Sequence, residues 1–316
     1  MSEGAFHKEN YQINTQGKAD KLTYNAYYGK NIQGNVKDAK GTIWPGHSNS
    51  NNKGIKLTYD FNEKSQLMFN YNNSKMDYSG YDMYYKQDVR DSSYDTRDMT
   101  VQHRYIFSDK WQNTMTYRRN NTHSLIHNYY EQYNSLSTVD THFKYQFFSD
   151  HVTYQSGRHT VVMGVDYSKA NDLKARTKFD DSPTWMSNTS PYIQESWKIL
   201  PKVTLSGGLR YDKPKRSDDV LFDSHTSKNY KLSYAATAKD TIYMGRSDFY
   251  ILPGMFELTD PDYGNPKLLP AYGRTSSIGY TRAFSDRNLF TLKLVLHQGR
   301  TDYRFDDDGK YQNYNK

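Results

Sequence analysis

The chain has no cysteine, which excludes a disulfide scaffold and a thiolate zinc site. It has no run of about 18 apolar residues, so no transmembrane helix is written in it. It is also short of hydrophobic residues, which fill 35% of its 316 positions and leave a mean hydropathy of −1.00. Such polarity suggests disorder, yet disordered chains are poor in aromatics, and this one holds 31 tyrosines within an aromatic content of 16%. Polar on average and aromatic in alternation is the composition a membrane β-barrel requires, with one wet strand face, one apolar face and aromatic girdles at both interfaces. The formal net charge is +7. Acids and bases are evenly mixed rather than gathered in a basic stripe, which argues against a nucleic-acid partner. The excess suits anionic ligands or lipid phosphates, and equally a solvated surface.

The clearest local pattern is SPYIQESWKILPKVTLSGGLRYD, Ser190 to Asp212. Ile193, Trp197 and Ile199 share one strand face. Val203, Leu205, Leu209 and Tyr211 share another, with Thr204, Ser206 and Arg210 opposite. Pro201 and Lys202 lie between the runs, where a reversal loses no ladder N–H. An antiparallel hairpin results, and the chain repeats it.

In order, two strands are expected around Gly17, then a loop over Asn31 to Lys53. Strands follow at Ile55–Phe61 and Leu67–Tyr71 about the turn Asn62–Ser65, then a loop over Asn72 to Tyr94. Met99 to Phe107 and Trp111 to Tyr117 flank the turn Ser108–Lys110, with a loop over Arg119 to Ser137. Val139, Thr141, Phe143, Tyr145 and Phe147 form a period-2 stripe, which Val152 and Tyr154 continue beyond a bulge near Asp150. Ser156 to Arg158 turns into Val161–Tyr167, and Ser168 to Thr189 is a loop. After the hairpin and a loop over Lys213 to Asn229 come Tyr230–Ala238, a turn at Lys239–Asp240, Ile242–Arg246, and a long segment to about Arg274. Ile278–Phe284 and Phe290–Leu296 close the series about Ser285–Arg287. Every second connection is short and the others long, as in outer-membrane barrels. The expectation is an all-β, antiparallel transmembrane β-barrel of outer-membrane type, in part: about fourteen strands of a larger barrel. The stripes at Val139–Phe147 and Phe290–Leu296 should face lipid, with Lys144, Gln146 and Lys293 turned inward.

Three stretches resemble the TonB-dependent outer-membrane receptors. Pro191 to Asp212 is similar to that family's aromatic–Gln–Trp strand, short turn and G-x-R-Y-D strand. Leu252 to Tyr280 is similar to its P-x-x-x-E-L loop and G-N-P-x-L-x-P-E box, with Ala271 where the Glu is usual and Ser277-Ile278-Gly279-Tyr280 in place of Glu-Leu-Gly-Tyr. Tyr311 to Lys316 is similar to its Y-x-N turn, and His159 to Tyr167 to its G-x-D/E-Y strand. The resemblance implies import of a scarce ligand, most often a ferric siderophore, with the TonB complex as energy source and outer-membrane lipid around the wall. The location it implies is the cell outer membrane. Barrels of the family enclose a plug within about 22 strands. Residues 1–316 are therefore expected to be one barrel domain, a fragment without plug domain or closing strands. MSEGAFHKEN has no apolar h-region of a signal peptide, which fits a piece of a longer precursor. A passive outer-membrane porin is the alternative, for which the chain would be nearly complete.

The resemblance also points to ligand contacts on the extracellular loops, from Tyr78, Tyr81, Tyr84, Tyr85, Phe249 and Tyr250. His123 and His127 are four apart, as in helical metal pairs, but in a strand that spacing spans about 13 Å. Asp88, Asp91, Asp95 and Asp98, or Asp306 to Asp308 before Gly309, offer oxygens to Ca²⁺ without matching an EF-hand, and Asp-Gly is a turn signal. No metal site and no cofactor are expected. Phosphate loops, nucleophile elbows and spaced carboxylate pairs are missing, so nothing argues for catalysis. Phe249 to Pro270 holds no histidine, which lowers haem among the ligands the resemblance allows.

Overall fold

A computed structural model describes residues 3–4, 8–37, 43–44, 46–82, 87–130, 135–172, 183–218, 220–260, 263–285, 288–306 and 308–315. Its strands are β1 (Glu3–Gly4), β2 (Lys8–Ala19), β3 (Leu22–Gln33), β4 (Val36–Lys37), β5 (Ile43–Trp44), β6 (Gly46–Asn62), β7 (Ser65–Asp82), β8 (Gln87–Ser108), β9 (Trp111–Tyr130) and β10 (Ser135–Ser156). They continue with β11 (His159–Asp172), β12 (Trp185–Leu200), β13 (Val203–Arg216), β14 (His225–Ala235), β15 (Asp240–Ile251), β16 (Ala271–Ala283), β17 (Leu289–Phe305) and β18 (Tyr311–Asn315), with one short helix, α1 (Met255–Thr259), before β16. Apart from the small β4–β5 hairpin, chain order is sheet order from β1 to β18, a meander of antiparallel neighbours. Without the short β1 and β18, the sheet has the fourteen long strands expected. The chain divides into two compact units, one of Met1–Arg104, Thr116–Phe147 and Ala170–Lys174, the other of Tyr105–Met115, Phe148–Lys169 and Ala175–Lys316.

In the first unit the registers align side chains of one kind across neighbours. Leu22, Tyr59 and Leu67 form one row, Tyr24, Leu57 and Phe69 the next, and Ala26, Ile55 and Tyr71 a third. Between them lie polar rows such as Asn25, Lys56 and Asn70. Gly17 is not the turn. It lies within β2 opposite Tyr24, whose ring occupies the space a Cβ would need. The reversal falls at Asp20–Lys21, where Asp20 takes φ 49°, as its short polar side chain permits.

The expected loops 31–53, 72–94 and 119–137 are largely strand, since β3, β6, β7, β8, β9 and β10 run far into them. Apolar alternation ends there but the backbone ladder does not, because polar side chains bond from strand to strand, between neighbours or, for Tyr27 and Asn72, over Gly54 of β6. Tyr27 Oη donates to Asn72 Oδ1 at 3.0 Å, Asn73 Nδ2 to Asp95 Oδ1 at 2.7 Å, and Asn120 Nδ2 to Asp98 Oδ1 at 2.9 Å. Near Asp150, where a bulge was expected, β10 runs on as one strand to Ser156. Asn113 Nδ2 meets it with bonds to Asp150 Oδ1 and the His151 carbonyl.

The second unit shows two faces plainly. One row joins Trp197, Leu205, Leu232, Met244, Ile278 and Leu294 on consecutive strands from β12 to β17. The next towards the short turns joins Val203, Tyr234, Ile242, Tyr280 and Leu292. The opposite face carries Thr204, Ser233, Tyr243, Gly279 and Lys293, then Gly208, Asn229, Ser247, Thr275 and His297. Lys293 thus opposes Leu292 and Leu294, as the alternation predicts.

Short connections join β2 to β3, β6 to β7, β8 to β9, β10 to β11, β12 to β13 and β14 to β15. Gly157, between β10 and β11, takes φ 54°, which an L side chain seldom adopts. The turn expected at Lys239–Asp240 covers 236–239 instead. Thr237 Oγ1 accepts from the N–H groups of Lys239 and Asp240 at 3.1 and 3.0 Å. The turn at Ser285–Arg287 lies partly outside the described residues, which omit 286 and 287. Five of these short turns hand a carbonyl onward: Lys21 O to Asp60 N–H, Lys110 O to Gln155, Arg158 O to Lys198, Lys202 O to Ala235 and Lys239 O to Ala283, all at 2.8–2.9 Å. Within each unit the short turns therefore share one rim, and the long connections lie at the other.

Candidate functional site

In the second unit the long connections are folded pieces. Of the few buried apolar side chains, Met255, Leu258, Leu268 and Ala271 belong to one stretch, the β15–β16 connection and the first residue of β16. Asn265 N–H donates to the Glu257 carbonyl at 2.8 Å, closing the connection on α1. Asn265 Nδ2 reaches the Tyr311 carbonyl at 2.8 Å. Asn313 bonds Leu269 twice, accepting its N–H at 2.7 Å and donating to its carbonyl at 2.8 Å. The P-x-x-x-E-L, G-N-P-x-L-x-P and Y-x-N stretches thus meet in one hydrogen-bonded body beside β18.

Arg216, at the end of β13, ties the preceding long connection to the same body. Its side chain is wholly buried. The guanidinium pairs with Asp218 through Nε at 3.0 Å and through Nη2, and Nη2 also reaches the Pro266 carbonyl at 2.7 Å. Its Cζ lies 4.8 Å from the centre of the Phe222 ring. The planar fork lets one residue hold a carboxylate, a carbonyl and a ring together.

A cavity of about 520 Å³ opens beside Phe222, Asp223, His225, Tyr250, Pro270 and Tyr272. Tyr250 stacks on His225 with ring centroids 4.7 Å apart and planes at 6°, and its Oη donates to the Asp223 carbonyl at 3.0 Å. Tyr272 tilts against the same imidazole at 5.8 Å. One residue back, Phe249 stacks on His297 at 4.7 Å and lies over Gly273. The histidine-free stretch Phe249–Pro270 therefore has imidazoles against its aromatics after all, brought by β14 and β17. Only strand register places them there, so no local sequence signal announces it.

Tyr250 also walls a second cavity of about 540 Å³, which is polar and reaches Arg210 and Asp212. Arg210 Nη1 bonds Asp166 Oδ2 at 2.6 Å and its Nε bonds Asp212 Oδ1 at 3.2 Å. Asp212, nearly buried, also accepts from Ser190 Oγ at 2.7 Å and Asn188 Nδ2 at 2.8 Å. The R-Y-D stretch is thus the centre of a network across β11, β12 and β13. These two cavities offer aromatic faces for stacking and a half-buried ion-paired network for polar recognition.

Of the sequence-predicted contacts, Phe249 and Tyr250 are at this site. Tyr78 belongs to the first unit, on β7, stacked on Tyr94 at 5.8 Å and 8°. Counted from the turn after Asn62, it stands beyond the roughly ten residues that carry a strand across a membrane. Burial and the neighbouring Tyr94 push its hydroxyl up to about 12. Tyr81 is on β7, while Tyr84 and Tyr85 lie outside the described residues. His123 pairs with Asp140 at 2.9 Å and His127 with Thr138 at 3.0 Å, so the two serve separate contacts. Asp95 and Asp98 bond the neighbouring Asn73 and Asn120. The Asp306 carboxylate closes its own turn, accepting from the Lys310 N–H at 2.7 Å and Gln312 Nε2 at 2.6 Å. Among the described residues no group of three or more acidic or histidine side chains is set to hold a metal ion.

A family model described as TonB dependent receptor-like, beta-barrel, matches residues 5–315. No curated protein matches the chain by sequence. Among solved structures, a variant of the ferric enterobactin receptor PfeA of Pseudomonas aeruginosa superposes with a TM-score of 0.73 at 16% identity, covering 98% of this chain and 55% of that one. The copper transporter OprC gives 0.78 at 13%, with the same coverage. The siderophore receptor PirA of Acinetobacter baumannii gives 0.72 at 11%, covering 97% of this chain and 54% of that one. Identities this low establish the fold alone, and the chain spans little more than half the length of these relatives.

Proposed function

The chain belongs to the family of TonB-dependent receptor-like β-barrels, and from that membership we propose that it forms wall and extracellular ligand site of an outer-membrane receptor importing a ferric siderophore. In this reading the apolar rows of Leu205–Leu294 and Val203–Leu292 face lipid, the short turns lie in the periplasm and the long connections outside the cell. Energy is delivered through the TonB complex to the whole receptor.

One observation carries the ligand assignment: the aromatic cavity at Tyr250, His225 and Tyr272, at the end of the sheet bearing the long connections. Stacked rings receive a flat aromatic chelator or a rigid metal chelate, and the Arg210–Asp212 network beside them supplies polar recognition. The PirA and PiuA relatives bear the name siderophore receptor, and one PfeA structure contains enterobactin. The test is binding and uptake of ferric siderophores by the full receptor in cells with and without TonB. Tyr250→Ala should weaken binding by about tenfold, the size of one lost aromatic contact at 1.4 kcal/mol per decade. Unchanged affinity would remove the cavity from the binding site, and uptake persisting without TonB would overturn active import.

A further inference from the structure

We infer that the apolar face of β14–β16 holds a phosphorylated glycolipid of the outer leaflet, a lipid A type molecule, with Arg246 and Arg274 on its phosphates. The inference rests on the outer-membrane reading above.

Arg246 lies on the same face as the apolar row, in the next row towards the long connections. Its neighbours across the sheet are Tyr230 and Ser276, with Leu296 beyond. One row further are Lys228, Asp248 and Arg274. On β12 and β13 that outer row is apolar, with Ile193 opposite Leu209, while Arg246's own row continues as Gly207 and Glu195, the latter bonded to His159 at 2.7 Å. The apolar band is therefore notched on β14–β16, and the notch carries three basic side chains against one acid. That acid is engaged, because Asp248 Oδ2 accepts the Lys228 N–H at 3.2 Å.

A groove of about 650 Å³ leads from this notch along Leu205, Leu232, Met244, Ile278 and Leu294. Among the described residues neither Arg246 nor Arg274 makes a side-chain hydrogen bond or ion pair. A guanidinium on a lipid-facing surface is unfavourable unless an anion meets it or it reaches the interface. The anion must come from the lipid side, and the groove below it takes acyl chains. Arginine forks bind phosphate oxygens bidentately, and the Ser276 hydroxyl lies in the same row to add a donor. The notch adjoins the long connections, which places it in the outer leaflet and selects the phosphorylated glycolipid over a periplasmic-leaflet phospholipid.

The test uses the full receptor extracted from outer membranes in mild detergent. Native mass spectrometry reads the retained lipid, and titration compares bisphosphorylated lipid A, its dephosphorylated form and phosphatidylglycerol. Wild type should retain one bisphosphorylated lipid A. Arg246→Ser with Arg274→Ser should bind it about a hundredfold more weakly, as expected for two lost charge-assisted hydrogen bonds. Arg246→Lys should keep most of the affinity, and Lys202→Ser at the opposite rim should change nothing. The dephosphorylated lipid should bind wild type and the double variant alike. Equal retention by wild type and the double variant overturns the proposal, as does phosphatidylglycerol matching lipid A, or a second protein copy occupying the face. Heat-modified mobility of each variant separates these outcomes from failure of the barrel itself, because an uninserted chain loses that signature whatever lipid it binds.

Discussion

Replacing Arg216 with methionine removes a guanidinium that nothing else at the site can imitate. The arginine side chain is wholly buried and the Asp218 side chain is 9% exposed, so the lone carboxylate would be left almost without water. Breaking a buried pair by removing one partner costs about 3–5 kcal/mol. The lost bond to the Pro266 carbonyl and the lost cation–π contact with Phe222 fall within that range. The penalty is local, because Arg216 joins the long connections 217–224 and 252–270 rather than the strand ladder. At 1.4 kcal/mol per decade, opening of those segments should become roughly a hundred to several thousand times more frequent. Hydrogen exchange by mass spectrometry should show the gain in peptides spanning 217–224 and 263–270, with β12 and β13 unchanged. Adding Asp218→Leu to Arg216→Met should restore most of the protection, since an apolar pair replaces the ionic one without an orphan charge. Unchanged exchange in the single variant, or a double variant as open as the single, would refute the clamp.

Three further outcomes follow from geometry already described. Met244→Lys places a cation in the apolar row and should cost about 2–4 kcal/mol in lipid vesicles, while Ser233→Lys on the opposite face should stay within about 0.5 kcal/mol; equal shifts of the denaturation midpoint would reject the assignment of faces. Asn313→Leu removes both bonds to Leu269 and should cost about 1–2 kcal/mol, read as faster proteolytic nicking within 252–270; an unchanged cleavage rate would show that the body is held elsewhere. Because the fold raises the Tyr78 hydroxyl from 10.0 to about 12, its stabilising contribution is complete below pH 10 and disappears as pH rises through 12. Tyr78→Phe should flatten that alkaline loss in an unfolding titration, and an identical loss in the variant would dismiss the assignment.

The strands with apolar alternation were legible because lipid-facing and water-facing positions must differ wherever a sheet crosses a membrane. Val203–Tyr211 and Phe290–Leu296 are read from residue type alone, and their registers agree with it. Beyond the apolar band that constraint lapses. Asn72, Asn73 and Asn120 look like loop residues, yet their amides bond across the ladder and extend it, so pattern reading ends these strands too early. Gly17 misled for a related reason, since a glycine beneath a tyrosine ring and a glycine in a turn are the same letter. The site was legible only at Phe249 and Tyr250, and there through family resemblance. His225, Tyr272, His297 and Arg216 come from other strands, tens of residues away, and only register assembles them. The Asn265–Pro270 box could be recognised from its letters, but its bonds to Tyr311 and Asn313 could not.

The hand-over of a carbonyl from five of the short turns to the next strand pair bears on how this wall can change size. In each of those hand-overs the donor lies on the strand that follows the intervening long connection, so the repeating unit is one hairpin with one long connection. Excising such a unit leaves the next hairpin facing an equivalent carbonyl, with every remaining strand still running in its original direction. Excising a single strand reverses all later ones, carrying their short turns to the opposite side of the membrane and their long connections into the wrong compartment. Insertions obey the same parity. The number of strands can therefore drift in steps of two while the long connections keep their address, and odd steps are closed to it.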